Sequence, residues 1–352
     1  MQDPEWEIPA HELQILETID IQKGTLSTVY RGIWRQIDVA VKVFDDACLH
    51  NDNEPHKDIQ NEVHIMTLVH HPSIVLFLGY CRLPGLIDRK GGYDSDPDPD
   101  PEKPSIALVF EWMHDGNLLT AMKKKRSYEE RLRWSREICA GVHYLHRRTP
   151  TRIIHRDLKP ANVLVGRYGM CKIADFGISK TVMFEKKRSL RNFATNQPPS
   201  AFLDVVGRSR TDSFSSIDDQ DSESSVSTHG PVGTFRYMAP ELMTNHNEMF
   251  RSTTKIDLYS LGMILYVIWE DREPFTEYAW TRTETSCVQR FCREVFYQQL
   301  RPTFRKTPKR IQAWIRKCWS ADPFLRPDTD DLIRVFDASR NHWREKIMYS
   351  LY

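Results

Sequence analysis

Near residues 111–117 the chain changes its periodicity, and this limits the folds open to it. From about Leu13 to Met113 the apolar residues fall in short β-favouring runs such as "VAVK", "IVLFLGYC" and "IALVFEWM". One stretch there differs. In "DIQNEVHIMTLVH", Ile59, Val63 and Met66 recur at helical spacing. From Asn117 onward helical patterns dominate. "LRWSREICAGVHYLHRR" sets Ile138, Val142 and Leu145 on one face, and "KIDLYSLGMILYVIWE" is apolar nearly all round, as a buried helix must be. "RIQAWIRKCWS" and "DTDDLIRVFDASR" complete the helical part. The pattern predicts an α+β molecule of two lobes over residues 13–340. The small lobe, 13–113, is β-rich with one main helix. The larger, 114–340, is mainly helical, and residues 1–12 and 341–352 flank the pair. Ligands favour the cleft of such a hinged arrangement.

Composition narrows the function. A chain of 352 residues can bury a sizeable core. Its net charge of +1 argues neither for nucleic acid nor for an acidic substrate, and no nucleic acid partner is expected. The first residues, "MQDPEWEIPAHELQ", are acidic and carry no signal-peptide core. The longest apolar run, "LGMILYVIW", is too short to span a bilayer, so no membrane span is expected. Seven scattered cysteines without a C-x-x-C pair fit reduced thiols and a cytoplasmic location. His70 and His71 read as turn or capping residues, and His143 and His146 as ordinary helix residues. Two segments break the globular pattern. Residues 84–104 carry an acidic Asp-Pro alternation that can neither pair as a strand nor continue a helix. Residues 183–229 are basic first, then acidic and serine-rich, a composition that predicts disorder.

The candidate chemistry lies along the expected cleft. "IQKGTLSTVYRG" reads as strand, turn and strand around Gly24, and "VAVK" follows with Lys42. "IIHRDLKPANVLV" contains Asp157 and Asn162, and "KIADFGISK" contains Asp175. A carboxylate such as Asp157 can accept a hydroxyl proton. Asn162 and Asp175 offer oxygen ligands to a hard cation such as magnesium. Lys42 supplies a positive charge for phosphates, and Glu62 on the following helix can hold that lysine by an ion pair.

Taken together, these segments resemble the eukaryotic protein kinases over about Leu13 to Ser339. The family pattern H-R-D-L-x-x-x-N matches His155 to Asn162, D-F-G matches Asp175 to Gly177, A-P-E matches Ala239 to Glu241, and V-A-I-K appears as "VAVK". The glycine-rich loop departs from the family's G-x-G-x-x-G, with Gln22 and Ser27 flanking the retained Gly24. Several motifs in the family's order make chance agreement remote.

The resemblance implies ATP and Mg2+ as cofactors and proteins with serine or threonine hydroxyls as substrates. It implies Asp157 as base, with Lys159, Lys42 and Glu62 in the catalytic set, and Asn162 and Asp175 on the metal. Val29, Ala40 and Leu164 would sandwich the adenine, Glu111 and Met113 would meet its edge, and Asn117 would lie near the ribose. Ile21 and Gly24 would cover the phosphates. Phe110 takes the gatekeeper position. Met66, Phe77, His155 and Phe176 match an apolar spine between the lobes, and Asp257 and Arg326 match internal anchors. Lys159 and Thr234 resemble the serine/threonine type, and "HPSIVLFLGYC" and "GTFRYMAPEL" resemble the tyrosine-kinase-like group. Phosphorylation at Thr228, or at Ser225 or Ser227, is expected to raise activity through Arg156. The alternative is a pseudokinase or nucleotide-binding scaffold, weakened by the degenerate glycine loop.

Overall fold

The computed structural model describes residues 4–16, 27–44, 55–83, 105–148, 151–183, 235–243, 253–276, 278 and 285–350. The hairpin crest with Ile21, Gln22 and Gly24 lies outside them. So do residues 84–104, all but the start of the 183–229 segment, and Thr234.

Five strands form one antiparallel sheet: β1 (Leu13–Ile15), β2 (Ser27–Trp34), β3 (Ile37–Phe44), β4 (Phe77–Leu83) and β5 (Ser105–Glu111), in the order β1-β2-β3-β5-β4. Alternation along β3 decides what each face does. Val39, Val41 and Val43 point into a cluster with Ile8, Leu13, Cys81, Ala107 and Val109. The residues between them, Ala40 and Lys42, therefore face the other way. On that side lies helix α1 (Pro55–Leu68). Its buried face carries Ile59 and Met66, as the apolar spacing required, with Val63 half-buried, and also Ile65 and the charged Glu62, only 2% exposed.

The second lobe is built on α2 (Leu118–Met122), α3 (Tyr128–Arg147), α4 (Lys255–Glu270), α5 (Thr285–Tyr297), α6 (Lys309–Cys318) and α7 (Thr329–Ser350). Two short antiparallel pairs shape its upper surface: β6 (Thr151–Ile154) with β9 (Lys180–Met183), and β7 (Val163–Val165) with β8 (Cys171–Ile173). Helix α3 starts at a capping box, with Ser127 and Glu130 satisfying each other's backbone N–H groups. Helix α4 is buried from Ile256 to Glu270, as a sequence apolar nearly all round demanded. The lobes meet where the chain after α1 crosses α3. Val75 and Ile173 each donate a backbone hydrogen bond across this joint, to Ile173 and Ser73, at 2.9 Å. Gly141 of α3 lies beneath it, where a Cβ would come within 2.9 Å of the Ser73 carbonyl oxygen.

Described residues on both sides of the two lobes are ordered into structure. Residues before Leu13 pack on the sheet lobe. Ile8 is buried and its N–H donates to Tyr80 at 2.7 Å. Trp6 stacks on Phe77 with ring centroids 5.5 Å apart, and Trp34 and Arg35 both donate to Glu12. At the other end α7 continues through residue 350 without a break. The Trp6 segment fits because β4 bulges between Phe77 and Gly79, and Gly79 adopts φ +150°. A Cβ there would lie 2.5 Å from the Trp6 carbonyl oxygen. Gly79→Ala is therefore expected to cost about 2 kcal/mol or more, from the unfavourable backbone plus the displaced segment. Gly116→Ala, at φ +69° with open space around it, should cost only the backbone share. Urea denaturation of both variants checks the order, and equal losses would show that the Trp6 contact contributes nothing.

Candidate active site

The lower wall of the cleft is the loop that follows β6. Two features hold its shape. First, Asp257 of α4, 1% exposed, accepts the backbone N–H of His155 at 2.8 Å and of Arg156 at 2.9 Å. His146 of α3 lies 2.8 Å from the same carboxylate. Burial pushes the Asp257 carboxyl up, but His146 and these N–H groups outweigh it and hold it below the usual carboxylate range. Second, Arg156 sits at φ +71°, a conformation that costs an L-residue roughly 1–2 kcal/mol and persists because its neighbours are fixed. Ser179 adds a hydrogen bond from its hydroxyl to the His155 carbonyl at 3.1 Å.

This places the next residues. Asp157 Oδ2 accepts from Lys159 Nζ at 2.6 Å and from Asn162 Nδ2 at 3.0 Å, and Asn162 Nδ2 also donates to the Asp157 carbonyl at 2.9 Å. Among the described residues Asp157 Oδ1 accepts no hydrogen bond. Asn162 has turned its amide N–H groups to Asp157, so its carbonyl oxygen is the atom left for another ligand.

The upper wall brings three charges together. Lys42 Nζ lies 2.9 Å from both carboxylate oxygens of Glu62 and 3.0 Å from Asp175 Oδ1. Burial alone would lower the Lys42 pKa, but the charges of Glu62 and Asp175 raise it, so the ammonium stays protonated. Burial raises the Glu62 pKa despite Lys42. At Asp175 burial also pushes upward, yet Lys42 wins and leaves the carboxyl below its usual range. Asp175 is at φ +66°, which turns it toward Lys42 while the next side chain, Phe176, is fully buried. Phe176 packs against His155 with centroids 4.9 Å apart, and Met66 and Phe77 are buried in the same cluster.

Ala174 N–H donates to the Asn162 backbone carbonyl at 2.9 Å, so Asn162 lies beside the segment that leads into Asp175. Side-chain oxygens such as theirs suit a small divalent cation, which takes one or two protein oxygens and completes its shell from phosphates and water. No group of three or more His, Cys, Asp or Glu side chains among the described residues could enclose a metal alone.

Backbone pairing places several of the expected site residues. Val29 is paired with Lys42 and Ala40 with Phe110, while Leu164 bridges to Asn117. Val29, Ala40 and Leu164 are all half-buried. Met113 is buried, and its side chain lies against Gly166. Asn117 has a second task, since Oδ1 caps α2 by accepting from Thr120 N at 3.0 Å.

Three contacts escaped the sequence reading. His146, taken for an ordinary helix residue, meets Asp257. The Glu111 side chain, noted only for its backbone, accepts from Lys172 at 2.6 and 2.8 Å and from Leu76 N at 2.7 Å, which ties β5 to β8 across the hinge. Asn61 donates to the Ser179 carbonyl at 3.0 Å and joins α1 to the loop after Asp175. No spacing in the sequence signals any of them, because the partners lie in separate segments. His71 does act as a turn residue, accepting from Ser73 N at 3.0 Å.

The Asp257 knot predicts a pH signature. A carboxyl with a depressed folded pKa stabilises the fold above its unfolded value of about 3.9, and that stability is lost as pH falls through the folded value. Asp257→Asn is expected to cost about 3 kcal/mol near neutral pH. Urea titrations across pH should show parent and variant converging on the acid side. A gap that stays constant into strong acid would show that the charge is not what holds the loop.

The family model described as protein tyrosine and serine/threonine kinase matches residues 15–203, more than half of the chain. The protein kinase domain model matches residues 215–335. The chain is 28% identical over 349 residues to serine/threonine-protein kinase 12 of Arabidopsis thaliana, covering 97% of this chain and 60% of that protein. It is 27% identical over 352 residues to serine/threonine-protein kinase VIK of the same plant, covering 96% and 64%. Dual specificity protein kinase shkC of Dictyostelium discoideum is 28% identical over 341 residues, covering 94% and 52%. The chain thus spans under two thirds of the length of these relatives.

Proposed function

The chain belongs to the protein kinase family, and on that premise we propose that it transfers the γ-phosphoryl group of ATP to serine and threonine hydroxyls of proteins. The observation that carries this reading is the arrangement of Asp157, with Oδ2 held by Lys159 and Asn162 while Oδ1 accepts no hydrogen bond among the described residues. A carboxylate so oriented can hold the proton of an attacking hydroxyl at Oδ1. Lys159 stands close enough to share the charge of the group in transfer. Across the cleft Lys42, fixed by Glu62, orients phosphates. Phosphoryl transfer relies chiefly on such positioning and charge stabilisation. Magnesium, with Asn162 and Asp175 as its protein ligands, would supply neutralising charge to the phosphates. Val29, Ala40 and Leu164 would enclose the adenine, with the backbone of Glu111 and Met113 at its edge and Asn117 near the ribose.

The acceptor class rests on Lys159 and on the names of the two plant relatives. Six described cysteines are free and five of them buried, which supports a reducing, cytoplasmic setting. No helix among the described residues is long and apolar enough to cross a membrane. Control by phosphate at Thr228 or its neighbours belongs to the same proposal, although those residues lie outside the described ones. Nothing among the described residues favours the scaffold alternative, whose support was the glycine loop.

Asp157→Asn should lower phosphorylation of a generic protein substrate by roughly 10²–10⁴-fold, with the melting temperature kept. Chelation of magnesium should abolish the parent's activity. Phosphate incorporation measured with both proteins decides the matter, and an unimpaired Asp157→Asn enzyme would remove Asp157 from the mechanism.

A further inference from the structure

Residues 299–320 contain seven Lys and Arg and no Asp or Glu. The structure folds three of these cations around one open cleft of about 620 Å³, between the end of α5, the end of α6 and the turn that follows it. Arg301 forms the floor. Its guanidinium donates to the carbonyls of Trp319, Val295 and Leu300 at 2.8–3.0 Å and lies over the Tyr259 ring. Arg316 and Lys317 line the mouth, exposed, leaning over the rings of Phe304 and Trp314. None of the three makes an ion pair among the described residues. The single carboxylate in the cleft, Asp322, is engaged in accepting the Phe324 N–H at 2.9 Å. On the rim Phe324 is 77% exposed and Leu325 69%. The two exposed cations Arg316 and Lys317 outnumber the one carboxylate of the cleft, Asp322, and stand beside bare apolar side chains, a combination that suits a peptide that is acidic and carries apolar residues.

One segment of this chain has that chemistry. Residues 211–225, "TDSFSSIDDQDSESS", carry five carboxylates, no Lys or Arg, and the apolar Phe214 and Ile217. We propose that this cleft binds the chain's own acidic segment, residues 211–225. Its attachment allows this. The chain re-enters the described lobe at Phe235, just before Glu241, which is held by both guanidinium nitrogens of Arg326 at 2.5 and 2.8 Å. Arg326 and Arg301 share the Tyr259 ring, at 5.3 and 5.4 Å. The floor of the cleft is therefore close to the anchor of the segment. The nine residues 226–234 reach up to about 30 Å when extended, the width of a small domain. Tethering gives an effective concentration of order millimolar, so a weak, salt-sensitive contact is populated within the molecule.

The test uses the full chain and a fluorescent peptide of residues 211–225, followed by anisotropy. In one chain the segment's own charges are removed by Asp212→Asn, Asp218→Asn, Asp219→Asn, Asp221→Asn and Glu223→Gln. That chain should bind the added peptide at least ten-fold more tightly than the parent, whose own segment competes. The binding should vanish when salt is raised several-fold, because exposed charge pairs are screened over a few ångströms at high salt. Adding Arg316→Glu and Lys317→Glu to the neutralised chain should abolish it, and a peptide with lysines in place of its acids should bind that charge-swapped chain. No binding to the neutralised chain, or binding that ignores the charge swap, overturns the site. Equal affinity for parent and neutralised chains overturns occupancy by the chain's own segment and assigns the cleft to an acidic partner. No arm of the test depends on phosphoryl transfer.

Discussion

The arrangement rests on one buried carboxylate. Asp257 sits at the start of a helix hidden from Ile256 to Glu270, and it grips two consecutive backbone N–H groups of the loop above while meeting His146 of α3. A carboxylate taken so far from water is tolerable only when its oxygens are satisfied, and here they are. Because the helix carrying it is locked by apolar packing, the loop inherits that rigidity. Arg156 can then hold a left-handed backbone, and Asp157, Lys159 and Asn162 are delivered to the cleft in one relative geometry.

The upper wall obeys a different logic. Lys42 comes from a strand, Glu62 from a helix and Asp175 from a loop of the other lobe, so their meeting reports how the lobes are set against each other. Glu62 is almost wholly buried and Asp175 about half exposed. The first contact is thus shielded from water, and the second reaches it. The Glu111–Lys172 pair and the Ile173 hydrogen bonds brace the lobes from behind. A cleft with a firm back and an exposed charged front can admit a nucleotide without losing its alignment.

Opposite signs of charge are also separated along the chain. The acid-free run at residues 299–320 and the base-free run at 211–225 would repel internally if each stood alone. Electrostatics therefore favours their meeting, and the cation-lined cleft provides the surface for it.

The sequence by itself determined the two lobes, the buried helix and the identity and order of the charged residues in the cleft. These are local properties, written in periodicity and residue type. Ile59 and Met66 had to face inward because their spacing left no other choice, and the helix of residues 255–270 had to be buried because it has no polar face. Tertiary structure alone decided the pairings between distant segments. It gave His146 its place beside Asp257. It folded the Trp6 segment onto a bulge at Gly79, and closed the hinge with Glu111 and Lys172. A charge in sequence has no partner until packing brings one near, and for that reason these contacts could not be read before the fold was known.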